Sequence, residues 1–436
     1  MKYSYKNINI VRTEIYSNSF NSKCRINEKD YIRKRKVTPR DIVLYELNKK
    51  GLSTKMEIIN FNNINDIQEI SSPGLFKQRE KLNPEAFIHL IRLSLKEFYT
   101  NYKKEVKTYK GYVLLGIDGS DFEIPNAKKS REKYNGKQQE QPARITVSTC
   151  YDLLNYYTLD SIIEKYDYSE IKMAETHYQN IKQNNLLDNA KSIIIMDRNY
   201  RSLSNMYKFI KNDDKFLIRI TSSAYKKEQQ EMKTDDEIIE IKPNSNRTYP
   251  YRDKNPELYN YLLSGNNIKV RCVKVTLNTG ETEVLLTNLE QNKFSKEEIK
   301  ELYNYRWKIE INYKHLKNNL KIECISSSKI TLIKQDIFSQ VLVSNMLQAF
   351  INDNDKKIKQ EKYKNPMKTN NNMSVGIFKN TLIYILLEDD IKKRGEMMYK
   401  FCMSLEKYIL PIKKERKYPR TNNTKNRYNV NQRKCF

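Results

Sequence analysis

Apolar residues recur with helical spacing in the first hundred positions. From Pro84 to about Lys103 they fall three or four residues apart, which predicts one amphipathic helix. DIVLYELNKK (41–50) predicts another. Residues 64–87, INDIQEISSPGLFKQREKLNPEAF, carry a Ser-Ser-Pro-Gly break that fits a helix-turn-helix about as well as a generic helical turn. We therefore expect residues 1–105 to form a helical N-terminal region.

After Gly111 the pattern changes to short apolar runs, which are typical of strands. Three runs, YVLLGIDGSDFEIP, ARITVSTCYDLL and NYYTLDSIIEKY, precede a helical segment, SEIKMAETHYQNIKQ. The next run, SIIIMDRNY, is short and β-branched, as a buried central strand should be. A helix, LSNMYKFIKN, and a strand, KFLIRI, follow it. This order predicts an α/β fold with one mixed sheet and flanking helices, and it assigns residues 106–221 to the core.

Residues 222–293 interrupt the alternation of strands and helices. IKVRCVKVTL and TEVLLTNL flank a turn around residues 278–280, which is a hairpin pattern and predicts a β-rich insertion. Ser295 and Glu298 then form a capping-box pattern that starts a helix running to about Leu320 without Pro or Gly. We expect the core to resume over 294–352. Residues 353–436 are expected to hold a C-terminal helical segment and a basic tail.

The charge balance indicates the kind of partner. Lysine and arginine number 80 against 53 acidic residues, a formal charge of +27. Nucleic acid is the commonest partner for such an excess, although AT-rich coding also raises lysine content. Six scattered cysteines and three histidines give neither a zinc motif nor a disulfide framework, so any metal would be held by carboxylates. With no apolar run near ~20 residues and no secretory leader pattern, we expect a cytoplasmic protein with no membrane partner.

Three acidic residues stand out by their positions. Asp118 lies within the first strand, Asp197 ends the buried strand, and Glu310 lies on the capped helix. An unpaired carboxylate buried at a strand end costs several kcal/mol, so these side chains need partners. For Asp197 alone, helix capping or contact with water explains the position equally well. For Asp118 a turn does the same, and Asp121 and Glu123 lie nearby.

The helix that carries Glu310 also carries a narrow polar stripe. Tyr303, Arg306, Glu310 and Lys317 stand at offsets 0, +3, +7 and +14, within a ~60° arc at ~100° per residue. A solvated face with ion pairs is the ordinary explanation for such charges. Trp307, which follows Arg306, is expected to pack in the core rather than to stack on an unpaired base.

The identities in this stripe match a known pattern. Tyr303-x-x-Arg306-x-x-x-Glu310, followed by six residues and Lys317, resembles the tyrosine–arginine–glutamate–lysine signature of the insertion-sequence-four family of bacterial transposases, which includes the Tn-five transposase. The strings GIDGSDFEIP and IIIMDRNY resemble the two aspartate motifs of that family. The β-rich insertion and the basic tail around YPRTNNTKNRYNVNQR are similar too. Asn199 departs from the pattern, since the family often has glycine there.

The resemblance implies a ribonuclease-H-like core in which Asp118, Asp197 and Glu310 form a DDE triad. It implies two Mg²⁺ ions, with Mn²⁺ able to substitute, held by those three carboxylates, with Asp118 bridging both. Tyr303, Arg306 and Lys317 would bind DNA phosphates near the cut end.

The implied activity is cleavage at the inverted-repeat ends of an element and joining of the 3′-hydroxyl to target DNA, by a homodimer in the synaptic complex. The N-terminal region would contribute to recognition of the ends. Two alternatives stay open: a nuclease of the same fold without strand transfer, and a non-catalytic basic DNA-binding remnant of a transposable element.

Overall fold

The computed structural model describes residues 2–33, 36–65, 70–277 and 280–412. The strands are β1 (Val113–Glu123), β2 (Arg144–Asp152), β3 (Thr158–Lys165), β4 (Ser192–Met196), β5 (Lys215–Ile220), β6 (Asp236–Ile241), β7 (Ile268–Thr276), β8 (Thr282–Thr287), β9 (Met367–Thr369) and β10 (Ile409–Pro411). The helices are α1 (Tyr3–Ile15), α2 (Asn18–Lys23), α3 (Pro39–Asn48), α4 (Thr54–Asn65), α5 (Ser72–Arg79), α6 (Glu85–Asn101), α7 (Lys128–Tyr134), α8 (Glu170–Gln183), α9 (Leu203–Lys211), α10 (Lys226–Gln230), α11 (Ser245–Thr248), α12 (Pro256–Leu263), α13 (Lys296–Asn304), α14 (Trp307–Asn318), α15 (Ile330–Asp355), α16 (Asn371–Leu387) and α17 (Ile391–Lys407).

One mixed sheet organises the described part of the chain. Its eight strands run in the order β3-β2-β1-β4-β5-β8-β7-β6. β4 is parallel to β1 and to β5, and the other neighbours are antiparallel. The prediction of an α/β fold with a mixed sheet and flanking helices is confirmed. The hairpin of β7 and β8 also forms, with its turn residues 278–279 outside the described part.

The segment predicted as a β-rich insertion continues the central sheet. β8 pairs with β5 between Leu217↔Thr287 and Ile220↔Val284, and β7 and β6 follow outward from it. The segment also contains three short helices, α10, α11 and α12.

The long helix α15 forms the centre of the helical layer. It is buried along almost its whole length and contacts α1, α3, α6 and β3. A helix that is buried on every side has to be surrounded by other elements. The helices of residues 1–105 therefore share one core with the sheet. The segment whose sequence fits either a helix-turn-helix or a generic helical turn contains the end of α4, α5 and the start of α6. Residues 66–69, between α4 and α5, lie outside the described part of the chain.

A buried ionic cluster fastens the N-terminal helices to α15. The Arg79 guanidinium, which is fully buried, lies 2.8 Å from Glu46 and 2.7 Å from Asp336, and Lys49 lies 2.5 Å from the same aspartate. Burial alone would raise the pKa of Asp336, but Lys49 and Arg79 outweigh it and hold that pKa far below its usual value. Asp336 also accepts a hydrogen bond from the Ser326 amide at 2.7 Å, in the segment that connects α14 to α15.

The helix predicted from Ser295 to about Leu320 is divided. Its capping box is confirmed, since Ser295 and Glu298 bond reciprocally. The prediction of an unbroken helix is wrong: α13 ends at Asn304, and α14 begins at Trp307. At the break, backbone hydrogen bonds to the residue three positions earlier replace the α-helical bonds to the residue four positions earlier. One example is the bond from Arg306 N–H to Tyr303 O at 3.1 Å. The tightened turn carries Arg306 inward, and because the segment contains neither Pro nor Gly, its residue pattern does not predict the break.

The described residues contain no helix with the length and apolar character needed to cross a bilayer. The predicted basic tail, including residues 418–433 that resemble the tail of the family, lies outside the described part of the chain.

Candidate functional site

Strand register brings the two aspartates together. β1 and β4 are parallel neighbours and pair as far as Ile117↔Met196, so Asp118 and Asp197 follow a matched pair on adjacent strands. Neighbouring strands lie about 4.8 Å apart, and residues in register point to the same face. Asp197 directly follows the buried apolar strand Ser192–Met196, and the register places it next to Asp118 on β1. The Asp197 carboxylate accepts the Asn199 amide at 2.8 Å.

The Asp118 carboxylate carries the strongest sign of a functional environment. Burial raises the pKa of Asp118 to about 7, with Asp197 and Glu310 adding to the rise while Arg306 and the Gly119 amide oppose it. A carboxyl group with such a pKa, surrounded by other acids, is a frequent feature of active sites. The other two sequence-predicted acids therefore both act electrostatically on Asp118.

Glu310 reaches this group through Arg306. The Arg306 guanidinium lies 2.8 Å from the Glu310 carboxylate and 3.8 Å from that of Asp118. Arg306 is 7% exposed, so the pairing takes place in a poorly solvated position where charge interactions are strong. This single cation lies within ion-pair distance of two of the three acids and offsets their combined charge only in part. The break leaves Tyr303 on α13 and Glu310 and Lys317 on α14, with Arg306 between the two helices and close to both Asp118 and Glu310.

A second contact between α14 and β1 aligns the two supports. The Tyr313 hydroxyl lies 2.8 Å from the backbone oxygen of Asp118 and 3.0 Å from that of Val147, and it accepts a hydrogen bond from Thr149 at 3.0 Å. Tyr313 is buried and comes three residues after Glu310. It therefore fixes the helix bearing Glu310 against the strand bearing Asp118. Sequence reasoning missed this residue, because a tyrosine on a helix gives no sign of the strand it will meet.

The remaining residues of the signature differ in their exposure. Lys317 donates to the backbone oxygen of Asp121 and lies 3.5 Å from Glu323, at the far end of β1. Tyr303 is 3% exposed, and its hydroxyl has no hydrogen-bond partner among the described residues. Trp307 is 42% exposed, with the Arg306 guanidinium 5.0 Å from its ring, so the expectation of core packing is wrong.

A fourth acid, which sequence reasoning also missed, borders the site. Glu170 opens α8, and its carboxylate lies 3.4 Å from the position that a Cβ on Gly119 would take. Burial raises the pKa of Glu170, and Asp197 raises it further. The Tyr200 hydroxyl approaches the same glycine, is fully buried and has no partner among the described residues. In the sequence, Glu170 is indistinguishable from an ordinary acidic residue in a first helical turn.

A relay of hydrogen bonds supports the strand beneath Asp118. Ser148 donates to the Asp118 backbone oxygen at 3.3 Å, and His177 lies 3.0 Å from Ser148 and 2.7 Å from Asp160. His177 and Asp160 are buried. The relay joins β1, β2, β3 and α8, so the backbone at Asp118 is held from several sides.

Within the described residues, no three His, Cys, Asp or Glu side chains are grouped closely enough to hold a metal ion as they stand. The donor chemistry nevertheless fits a hard divalent cation, because Asp118, Asp197 and Glu310 offer carboxylate oxygens at one sheet edge. Burial raises the pKa of Asp118, and the charges of Asp197 and Glu310 add to the rise; a bound cation would oppose each of these effects.

Known proteins resemble this chain over its central part. The family model described as a transposase DDE domain matches residues 109–346. The transposase InsG for insertion sequence element IS4 of Escherichia coli is 22% identical over 247 residues, which are 55% of this chain and 52% of that protein. The transposase for IS1151 of Clostridium perfringens is 23% identical over 269 residues, with 53% and 55% covered. The chain thus spans about half the length of these relatives.

Among solved structures, a piggyBac transposase synaptic complex with hairpin DNA aligns with 92% of this chain and 84% of its own, at 10% identity and a TM-score of 0.40.

Proposed function

This chain belongs to the DDE-domain transposases, and on that premise we propose that it is the transposase of a bacterial insertion sequence. Its reaction would be cleavage of DNA at the ends of the element and joining of the 3′-hydroxyl to target DNA. The observation that carries the proposal is the register of β1 and β4, which sets Asp118 beside Asp197, together with the Arg306 bridge from Asp118 to Glu310.

We assign a ribonuclease-H-like core to residues 106–221 and 294–352. The assignment is supported by three antiparallel strands, β1 to β3, followed by β4 and β5 parallel to β1. Residues 222–293 extend this sheet and would form the β-rich segment before the glutamate helix. Residues 1–105 would contribute to recognition of the element's ends. Residues 353–436 would add a helical segment and a basic tail.

The cofactor follows from the donor set. Asp118, Asp197 and Glu310 would hold two Mg²⁺ ions, and Mn²⁺ would be able to substitute. Such a pair of ions activates an attacking water or 3′-hydroxyl and stabilises the leaving oxygen. Glu310 would have to turn away from Arg306 to serve as a ligand. That exchange would release the Arg306 fork toward a DNA phosphate.

The other residues of the signature would act on the DNA backbone. Lys317 is half-buried at the end of β1 and would supply a point charge to a phosphate. The buried Tyr303, beside Arg306 at 5.7 Å, would orient the guanidinium. A formal charge of +27 supports DNA as the partner. The joining of two ends implies a homodimer on DNA.

A strand-transfer assay tests the proposal. Wild-type protein with Mg²⁺ and a duplex carrying the inverted repeats that flank its gene should yield products joined to target DNA. Asp118→Asn, Asp197→Asn and Glu310→Gln should each lose cleavage and joining. Glu132→Gln, at a solvated carboxylate on α7, should retain both.

The rivals give different outcomes in the same assay. Cleavage without joined products would favour the nuclease. Equal DNA binding by wild type and Asp118→Asn, with no cleavage by either, would favour the non-catalytic remnant.

A further inference from the structure

A second concave surface opens beside the carboxylates. We call it the serine cleft, after Ser169 and Ser202 on its walls; its volume is about 850 Å³. Arg201, also on its wall, comes four residues after Asp197, and Ser169 immediately precedes Glu170. The cleft therefore adjoins the candidate active site through these two chain segments. Nothing in the reaction proposed above uses it.

Cations dominate the charge of the serine cleft. Its lining includes Lys172, Arg201, Arg247 and Lys254, against one acid, Glu175. Within the part of the chain that the structure describes, Lys172, Arg201 and Lys254 form no ion pair, and all three are exposed. Cations that come from separate chain segments and have no carboxylate partner favour binding of an extended anion. On an ordinary solvated surface, such cations would more often pair with nearby acids.

Two helices begin at this cleft. The Ser169 hydroxyl caps α8 by accepting a hydrogen bond from the Lys172 amide. The Ser202 hydroxyl caps α9 by accepting one from the Asn205 amide. A helix N-terminus carries a partial positive charge and unpaired amide groups, which favour anions, phosphate in particular. Both helix dipoles thus reinforce the field of the side-chain cations.

Tyr225 organises two of these cations. The guanidinium groups of Arg201 and Arg247 lie 5.8 Å and 5.3 Å from its ring centre, and Glu228 pairs with the second at 3.2 Å. Tyr225 has a φ of +52°, in the left-handed region that a non-glycine residue adopts only at a cost of about 1 kcal/mol or more. The surroundings impose this backbone, and the ring fixes two guanidinium forks in the wall of the cleft.

We propose that the serine cleft binds the phosphate backbone of a DNA strand that continues from the carboxylate site. This inference rests on the proposed function, because it takes DNA as the substrate of the adjoining site. The volume exceeds what one phosphate needs and falls within the ~300–1,000 Å³ of established ligand pockets. Lys172 and Arg201 contact the phosphates nearest the cut, and Lys254 contacts a more distant one.

The salt dependence of DNA binding tests this site without relying on catalysis. The probe is a labelled forked duplex with an oligothymidine arm, titrated in EDTA at several salt concentrations. Each phosphate contact contributes about 0.7–0.9 to the slope of log K against log salt, so Lys172→Ala/Arg201→Ala should lower the slope by about 1.5. Lys96→Ala/Lys400→Ala, at two exposed lysines on α6 and α17, removes the same charge and should leave the slope near the wild-type value.

The outcomes separate this inference from the proposed function. Equal slopes for the two double variants would overturn the site, even if wild-type protein performs strand transfer. A wild type that gives no strand transfer would count against the proposed function, while a slope lowered in the cleft variant alone would still support the site. Lys172→Arg/Arg201→Lys should restore the slope. Loss of polyglutamate binding by the cleft variant, with DNA binding unchanged, would overturn the inference in favour of an acidic protein partner.

Discussion

Neutralising Asp118 should make the protein more stable while it removes the proposed activity. The carboxylate side chain is 18% exposed, and burial raises its pKa from an ordinary 3.8 to about 7. A rise of about three pKa units corresponds to roughly 4 kcal/mol between the two protonation states. Asp118→Asn removes the charge but keeps the shape, and its amide oxygen can still accept the Gly119 amide.

The sign follows from proton binding. The folded protein holds the Asp118 proton more tightly than the unfolded chain does, so this group favours folding below the unfolded pKa of 3.8, and its contribution is lost as the pH rises through about 7. The free energy of unfolding of Asp118→Asn should therefore match wild type at about pH 4 and exceed it by as much as ~4 kcal/mol at about pH 8.

Urea unfolding in EDTA, followed by the fluorescence of the single tryptophan, Trp307, and by circular dichroism, measures this difference. Glu132→Gln, at an exposed carboxylate on α7, is the matched control and should leave the free energy of unfolding close to the wild-type value. A pH-independent gain for Asp118→Asn, or a loss of stability at about pH 8, would refute the reasoning about charge burial.

Three further changes test other parts of the structure. Tyr313→Phe should cost about 1–3 kcal/mol of unfolding free energy, since Thr149 loses its acceptor and the Asp118 carbonyl a donor, and should slow cleavage; unchanged stability would show that the hydroxyl does not join α14 to β1. Arg79→Ala should cost about 3–5 kcal/mol by calorimetry, because two buried carboxylates, Glu46 and Asp336, lose a cation that they share, and a cost below about 1 kcal/mol would contradict the picture of an essential ion cluster. Glu170→Gln should raise stability in urea at alkaline pH, because the pKa of Glu170 is raised by burial and by Asp197; a loss there would argue against a charged, crowded carboxylate.

Local patterns predicted the strands that carry the aspartates. The short β-branched run before Asp197 predicts a buried strand, and β4 forms there. The capping box located the start of α13 for a similarly local reason. Local patterns could not predict which strands pair with each other, because pairing depends on contacts between residues that are distant in the chain. Only the identities in the signature linked Glu310 to the two aspartates.

The features that were missed arise from tertiary contacts. The turn at Arg306 exists where a buried guanidinium meets Asp118 and Glu310, and periodicity alone predicts a continuous helix. The pairing of β8 with β5, which joins the segment 222–293 to the central sheet, depends on a partner about 70 residues away in the chain. Glu170 and Tyr313 contact the site only after the fold brings them there.

The ionic cluster around Arg79 has a mechanical consequence. Arg79 and Asp336 connect α5 to the long helix, and the same aspartate holds the Ser326 amide in the segment that leaves α14. The N-terminal helices and the segment that leaves α14, the helix bearing Glu310, thus share one buried ion cluster. Displacing Asp336 from the cluster would therefore disturb the contact with α5 and the segment that leaves α14 at the same time.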